Sequence, residues 1–157
     1  MTVPAIAETA DTPDFEIDRE AHILRFVRDF AAPRELVFNA WTRPEELSCW
    51  WDAGGERLIE CEMDVRPGGS FRFLAPSHAH MAFTGTYIEV APPERLVFTA
   101  MDATGRVLLA ETARGTRMTV EIACRSAEHL EDYIRRGVAK GTSQTCDNLV
   151  AYIWEVS

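Results

Sequence analysis

Three of the four tryptophans of this chain lie within thirteen residues, in the stretch NAWTRPEELSCWW. Large aromatic side chains either fill a core or wall a pocket for an apolar ligand. Because consecutive residues on a helix point about 100° apart, Trp50 and Trp51 cannot both face the same core. We therefore expect one of this pair to face a cavity or solvent. The alternative is that Trp41, Trp50 and Trp51 all pack a helix pair against a sheet.

Two histidines and a row of carboxylates are the other groups whose spacing could support chemistry. His78 and His80 are two residues apart, as in a chelating pair on a strand, but they follow a Pro-Ser pair typical of a loop and have no third ligand nearby in sequence. Glu60, Glu62 and Asp64 alternate as on the solvated face of a sheet. Nucleotide-binding, metalloprotease and nucleophile-elbow motifs are absent from the sequence, so we expect no metal, no cofactor and no assigned reaction.

Composition limits the class of protein. The 157 residues include 25 acidic and 16 basic ones, and the net charge of −9 opposes the basic surface that nucleic-acid binding requires. The four cysteines are widely spaced without a C-x-x-C pair, which favours reduced thiols and a cytoplasmic protein. Apolar runs fall short of the roughly 20 residues needed for a transmembrane helix.

The elements that position the tryptophans come first in the chain. Alternating apolar residues predict a strand over residues 22–30. Helical spacing then predicts a helix that ends near Trp41, and Thr42 and Glu45 have the spacing of a capping box at the start of a second short helix. We expect this second helix to carry both residues of the Trp50-Trp51 pair.

Turn residues divide the middle of the chain into strands of an antiparallel sheet. The segments 66–69, 91–95 and 114–116 are rich in Pro and Gly or charged residues and each separates two strand-like runs, which predicts three hairpins. Ser126 is a suitable N-cap for the last segment, which predicts a long helix bent at Gly137.

These elements predict a single α+β domain at residues 21–157, preceded by a flexible leader at residues 1–20. The order is one strand, two short helices, about six further antiparallel strands and one long helix. A sheet of this kind buries one face, and the C-terminal helix is the one predicted element long enough to cover it. We therefore expect a concave space between the sheet and this helix.

Three phrases of the sequence resemble the START-like, or SRPBCC, helix-grip superfamily, and within it the group related to the activator of the heat-shock chaperone ATPase. They are APRELVFNAWTRPEELSCWW, MDVRPGGSFRF and GTYIEVAPPERLVFT. The resemblance covers roughly residues 23 to 153 and implies a seven-stranded antiparallel sheet curled around the last helix, with an apolar cavity between them. Lipid carriers, hormone receptors and cyclases share this fold, so the resemblance implies no single activity.

We accordingly predict that a small apolar or aromatic molecule binds between the sheet and the C-terminal helix. The expected walls are aromatic side chains of the strands and the helix pair, together with the inner stripe of the long helix, where a glycine would leave space. They are Trp41, Trp50, Trp51, Phe71, Phe73, Phe83, Tyr87, Phe98, Met101, Tyr133, Gly141, Thr145 and Leu149. The alternatives are a cavity enzyme of the cyclase or hydrolase type and a chaperone-associated protein, and a homodimer is also open.

Overall fold

Eight strands form one antiparallel sheet in the computed structural model, which describes residues 15–157. The strands are β1 (Glu16–Asp18), β2 (Ile23–Phe30), β3 (Glu60–Met63), β4 (Ser70–Leu74), β5 (Phe83–Ala91), β6 (Arg95–Ala100), β7 (Ala103–Thr112) and β8 (Gly115–Ala123). Their order across the sheet is β1-β2-β8-β7-β6-β5-β4-β3. The three predicted hairpins are confirmed as β3–β4, β5–β6 and β7–β8.

Four α-helices accompany the described strands: α1 (Arg34–Thr42), α2 (Pro44–Leu47), α3 (Ala127–Arg135) and α4 (Val138–Val156). The predicted pair of short helices is confirmed between β2 and β3. The predicted capping box is wrong. Thr42 still belongs to α1, and its hydroxyl donates back to the carbonyl oxygen of Phe38 at 2.8 Å, so it is not available to cap α2.

The C-terminal helical segment is divided at the predicted position. Ser126 caps α3, since its hydroxyl oxygen accepts a hydrogen bond from the backbone N–H of His129 at 3.1 Å. Gly137 then takes a left-handed conformation with φ of 83°, which favours glycine and ends one helix before the next begins. The long helix of the fold is thus α4, and it spans 19 residues.

Strand β1 lies inside the segment that we expected to be a flexible leader. It pairs antiparallel with β2, and Glu16 stands opposite Arg25. The Arg25 guanidinium lies 3.1 Å from the Glu16 carboxylate and also donates to Glu121 of β8 at 2.9 Å. Ordered structure therefore begins ahead of residue 21, while residues 1–14 of the expected leader lie outside the described residues.

Two different layers cover the inner face of the sheet. One region, which we call the helix-covered half, consists of β2 and β8 with α4, and its buried side chains include Leu24, Met118 and Leu149. The other region, the tryptophan-covered half, consists of β4, β5 and β6 beneath the segment 41–51. Within residues 15–157, no helix is long and apolar enough to cross a membrane.

Candidate functional site

A continuous cluster of aromatic rings fills the tryptophan-covered half. The ring centroid of Trp41 lies 4.9 Å from that of Trp50 and 6.2 Å from that of Trp51. Trp51 continues the cluster onto the sheet, since its ring lies 5.0 Å from Phe73 and 5.4 Å from Phe83. Most of these pairs are edge-to-face or tilted, which is the geometry that aromatic rings prefer.

Two glycines in the sheet give the aromatic rings their positions. Gly85 stands opposite Phe71, and Gly105 stands opposite Phe98. A Cβ atom on either glycine would lie 2.4 Å from an atom of the opposing ring, which is closer than van der Waals contact permits. Each ring therefore lies flat over the bare backbone of its partner strand, as glycines beside aromatic residues in sheets allow.

These rings leave a narrow apolar gap between the sheet and the tryptophan segment. Its volume is about 10 Å³, which is room for about one water molecule. The walls come from α1, α2, the segment that follows α2, and strands β4, β5 and β6. They are Trp41, Leu47, Trp51, Phe71, Phe73, Tyr87, Leu96 and Phe98.

The two neighbouring tryptophans point in different directions. Trp50 is 1% exposed and its indole N–H donates to the carbonyl oxygen of Ala40 at 3.2 Å, so this residue is part of the core. Trp51 is partly buried and its ring walls the gap. The prediction that the second short helix carries both tryptophans is wrong, because α2 ends at Leu47. The chain turns there, and this turn separates the two side chains.

Six of the predicted site residues wall the gap, and Phe83 packs behind them against Trp51 and Phe71. Met101 does not belong to the site, because it is 54% exposed and lies in the β6–β7 turn with φ of 51°. Strand alternation ends at Ala100 and cannot predict the direction of a turn residue. Tyr133 lies at the same turn, where its hydroxyl donates to the carbonyl oxygen of Met101.

The long helix does not wall the gap, which corrects the predicted position of the site. Helix α4 runs along β2 at one side of the sheet, where Leu149 is fully buried. Thr145 instead donates its hydroxyl to the carbonyl oxygen of Trp51 at 3.0 Å. A Cβ on Gly141 would meet no atom within 4 Å, and this glycine does not line the gap. The helix thus supports the tryptophan segment.

Two polar residues near the gap were missed by the sequence analysis. Asn148 donates its side-chain N–H to the carbonyl oxygens of Asp52 at 2.9 Å and Trp50 at 3.4 Å. Asp52 is 2% exposed although it is a carboxylate. In the sequence, Asp52 lies directly after two tryptophans and ahead of a glycine pair. This context does not predict that its carboxylate is buried.

The histidine pair lies in the loop between β4 and β5, as predicted. His78 and His80 are both exposed, and their ring centroids are 6.4 Å apart. Residues 15–157 contain no group of three or more His, Cys, Asp or Glu that could hold a metal ion. Glu60 is exposed and forms an ion pair with Arg72, which agrees with a solvated face of the sheet.

Burial raises the pKa of an ionisable side chain on each half of the inner face. It raises the pKa of the Tyr87 hydroxyl, which walls the gap, well above its ordinary value. Burial also raises the pKa of the Cys146 thiol of α4 to about 12. Both groups therefore stay protonated at neutral pH.

The curved antiparallel sheet, the short helix pair after β2 and the long C-terminal helix define a helix-grip domain of the START-like class. The family described as Activator of Hsp90 ATPase homolog 1-like protein matches residues 31–153 of this chain. The chain belongs to that family. Comparison with curated proteins finds no match.

Solved structures share this fold over nearly their whole length. A protein of Nitrosomonas europaea is 25% identical, with a TM-score of 0.78 over 88% of this chain and 97% of that one. A protein of Mycobacterium smegmatis is 22% identical, with a TM-score of 0.77 over 92% and 98%. The AHSA1-like protein from Aeromonas hydrophila is also 22% identical, with a TM-score of 0.71 over 85% and 93%. These likenesses support the fold.

Proposed function

We propose that this domain binds a small apolar or aromatic molecule in the gap beneath Trp51. The observation that carries the proposal is the set of eight apolar and aromatic side chains that converge on one space between the sheet and the tryptophan segment. Concave sites with mainly apolar and aromatic walls are typical of small-molecule binding. Tyr87 is the one ionisable wall, and its raised pKa does not favour acid–base catalysis, so we do not propose a cavity enzyme.

The gap of about 10 Å³ must widen to admit a ligand, and Trp51 is the wall best suited to move. The indole N–H of Trp41 donates to the Met118 sulfur at 3.4 Å, and that of Trp50 donates to a backbone carbonyl. The Trp51 indole makes no hydrogen bond to another described residue. Aromatic contacts with Trp41, Phe73 and Phe83 hold this ring, while Thr145 fixes its backbone.

A titration with 1-ethylnaphthalene, followed by the four indole N–H signals in ¹H–¹⁵N NMR spectra, tests the proposal. We expect the Trp51 signal to shift and the signal of Trp154, which is 77% exposed, to stay in place. Loss of one aromatic contact of about 0.5–1.5 kcal/mol predicts roughly 2- to 10-fold weaker binding in Trp51→Ala. Trp154→Ala is the matched control and should bind as the unmodified chain does. Saturating probe without movement of the Trp51 signal would refute the proposal.

Contact with a chaperone is a second candidate function. The family description names the activator of Hsp90 ATPase, and Trp154 near the end of α4 exposes a large aromatic side chain of the type enriched at protein interfaces. The ATPase rate of purified Hsp90, measured with and without this chain, tests the candidate. We expect a changed rate that Trp154→Ala abolishes and Trp51→Ala preserves. An unchanged rate at saturating chain would eliminate this function.

A further inference from the structure

Asp52 carries a buried carboxylate directly after the tryptophan segment. It follows Trp51, whose ring walls the gap, and it is 2% exposed. Its Oδ2 atom accepts a hydrogen bond from the backbone N–H of Glu56 at 3.2 Å. Its Oδ1 atom is buried and has no hydrogen-bond partner among residues 15–157. Buried polar atoms are nearly always paired, so an unpaired carboxylate oxygen calls for a donor from elsewhere.

Three elements meet around this carboxylate at the end of the aromatic cluster. Asp52 Oδ2 and the hydroxyl oxygen of Ser77 lie 3.1 and 2.9 Å from the position that a Cβ on Gly54 would take, so the loop after Trp51 touches the turn after β4. Asn148 of α4 holds the backbone of Asp52 from the other side. Trp51 packs on the strands that flank the same turn. The carboxylate thus lies where the loop, the turn and the helix converge.

No Lys, Arg or His among residues 15–157 forms an ion pair with this carboxylate, although fifteen other pairs are present. The sequence of residues 1–14 contains none of these three amino acids. Burial of a carboxylate without a cation or a full set of donors is unfavourable, and a bound cationic N–H group would provide both.

We propose that Asp52 Oδ1 accepts a hydrogen bond from a cationic nitrogen of the bound molecule. The inference rests on the proposed function and narrows the ligand class to aromatic or apolar amines. The apolar body lies in the gap beneath Trp51, and the ammonium group reaches the carboxylate beside it. Asp52 thereby selects amines over neutral molecules of the same shape.

Three naphthalene probes of similar shape test this selection at pH 7. 1-Naphthylmethylamine carries the cation, 1-ethylnaphthalene has no polar group, and 1-(methoxymethyl)naphthalene carries a neutral acceptor. Calorimetric titration should show the amine binding at least about 10-fold tighter than the ethyl probe, as one charge-assisted hydrogen bond predicts. In Asp52→Asn the two affinities should agree within about 2-fold, with the ethyl probe unaffected.

Glu56→Gln is the matched control. It removes one negative charge close to Asp52, as Asp52→Asn does, but from an exposed side chain. This variant should keep the amine preference. A preference that survives Asp52→Asn, or that falls equally in Glu56→Gln, would overturn the role of Asp52. Tighter binding of the methoxymethyl probe than of the amine would show that the carboxyl is protonated and donates, which also contradicts the proposal.

A measurement on the unmodified chain covers the case in which Asp52→Asn does not fold. The backbone N–H of Glu56 donates to the same carboxylate, so its NMR signal should shift with the amine and stay in place with the ethyl probe. An unshifted Glu56 signal at saturating amine would refute the inference. Failure of all three probes to move the Trp51 indole signal would instead refute the proposed function, so the two failures are distinguishable.

Discussion

The inner face of the sheet has two halves, which lie on different strands and have different covers. In the helix-covered half, a continuous 19-residue helix packs on β2, and Arg28 donates to Ser143 and pairs with Asp147 of that helix at 2.9 Å each. In the tryptophan-covered half, the cover consists of single side chains from the end of α1, from α2 and from the turn after it. A regular helix excludes solvent with its whole face, whereas separate rings can move one at a time.

In this fold, a small adaptable site can form where separate side chains, and not a continuous helix, cover the sheet. Helix α4 covers its half with a continuous face, on which Leu149 is fully buried. The ring of Trp51 meets Phe73 edge-on, the ring of Phe98 meets Phe71 edge-on, and a narrow space remains between these rings. Four substitutions test this contrast between the two halves, and they follow in order of decreasing expected change in stability.

Trp50→Ala should cause the largest loss of stability. Trp50 is buried and hydrogen-bonded, so its removal should lower the free energy of unfolding by about 3–5 kcal/mol. Trp51→Ala should cost less, because Trp51 is partly exposed and its indole makes no hydrogen bond within the described residues. Urea denaturation monitored by circular dichroism gives both values. Equal losses would mean that Trp51 is as firmly packed as Trp50.

Leu149→Ala tests the closed character of the helix-covered half. The substitution removes a fully buried side chain and should lower the free energy of unfolding by about 2–5 kcal/mol. Because α4 does not wall the gap, the affinity for 1-ethylnaphthalene should stay the same. Calorimetric titration of the folded variant measures this affinity. Weaker binding would return α4 to the site and remove the distinction between the halves.

Gly105→Ala acts on the aromatic rings from the sheet side. The added methyl group would lie 2.4 Å from the Phe98 ring, which must move, and the cost should be about 1–3 kcal/mol. Phe98→Leu in the same chain should make Gly105→Ala less costly, since the smaller side chain frees the space. A double-mutant cycle from thermal unfolding measures this coupling. Independent effects would show that the ring does not depend on the glycine.

Gly141→Ala should have the smallest effect and the opposite sign. The new methyl group meets no atom within 4 Å, and alanine favours the helix, so stability should rise by about 0.4–1 kcal/mol. Gly137→Ala is the control, because φ of 83° strains any residue with a Cβ and should lower stability by about 1–2 kcal/mol. Thermal unfolding compares the two. A loss at Gly141 would place its Cβ against a neighbour.

The hairpins and the break between α3 and α4 could be predicted because their signals are local. A Pro-Gly turn, a serine cap and a left-handed glycine each determine the backbone within a few residues. Alternation also predicted that Phe71 and Phe73 share one face of β4, but it could not indicate which face is inward.

The position of α4 could not be predicted from the sequence, because it depends on contacts between distant segments. The tie from Arg28 to Asp147 places this helix over β2, and no residue near 147 indicates that partner. Met101 was misassigned because strand alternation stops where the turn begins. Burial of Asp52 likewise results from Asn148 and from a loop that folds over the carboxylate. A sequence pattern does not contain these long-range distances.

The hydrogen bonds from α4 to the tryptophan segment have a mechanical consequence. The side chains of Thr145 and Asn148 donate hydrogen bonds to backbone carbonyl oxygens of residues 50–52. Arg28 of β2 donates to Ser143 of the same helix. Helix α4 therefore links strand β2 to the tryptophan segment. Rotation of α4 about its axis must carry the backbone of Trp51 with it. We therefore expect α4 and residues 50–52 to unfold locally as one cooperative unit. Their backbone amide protons should then exchange with solvent at similar free energies of opening.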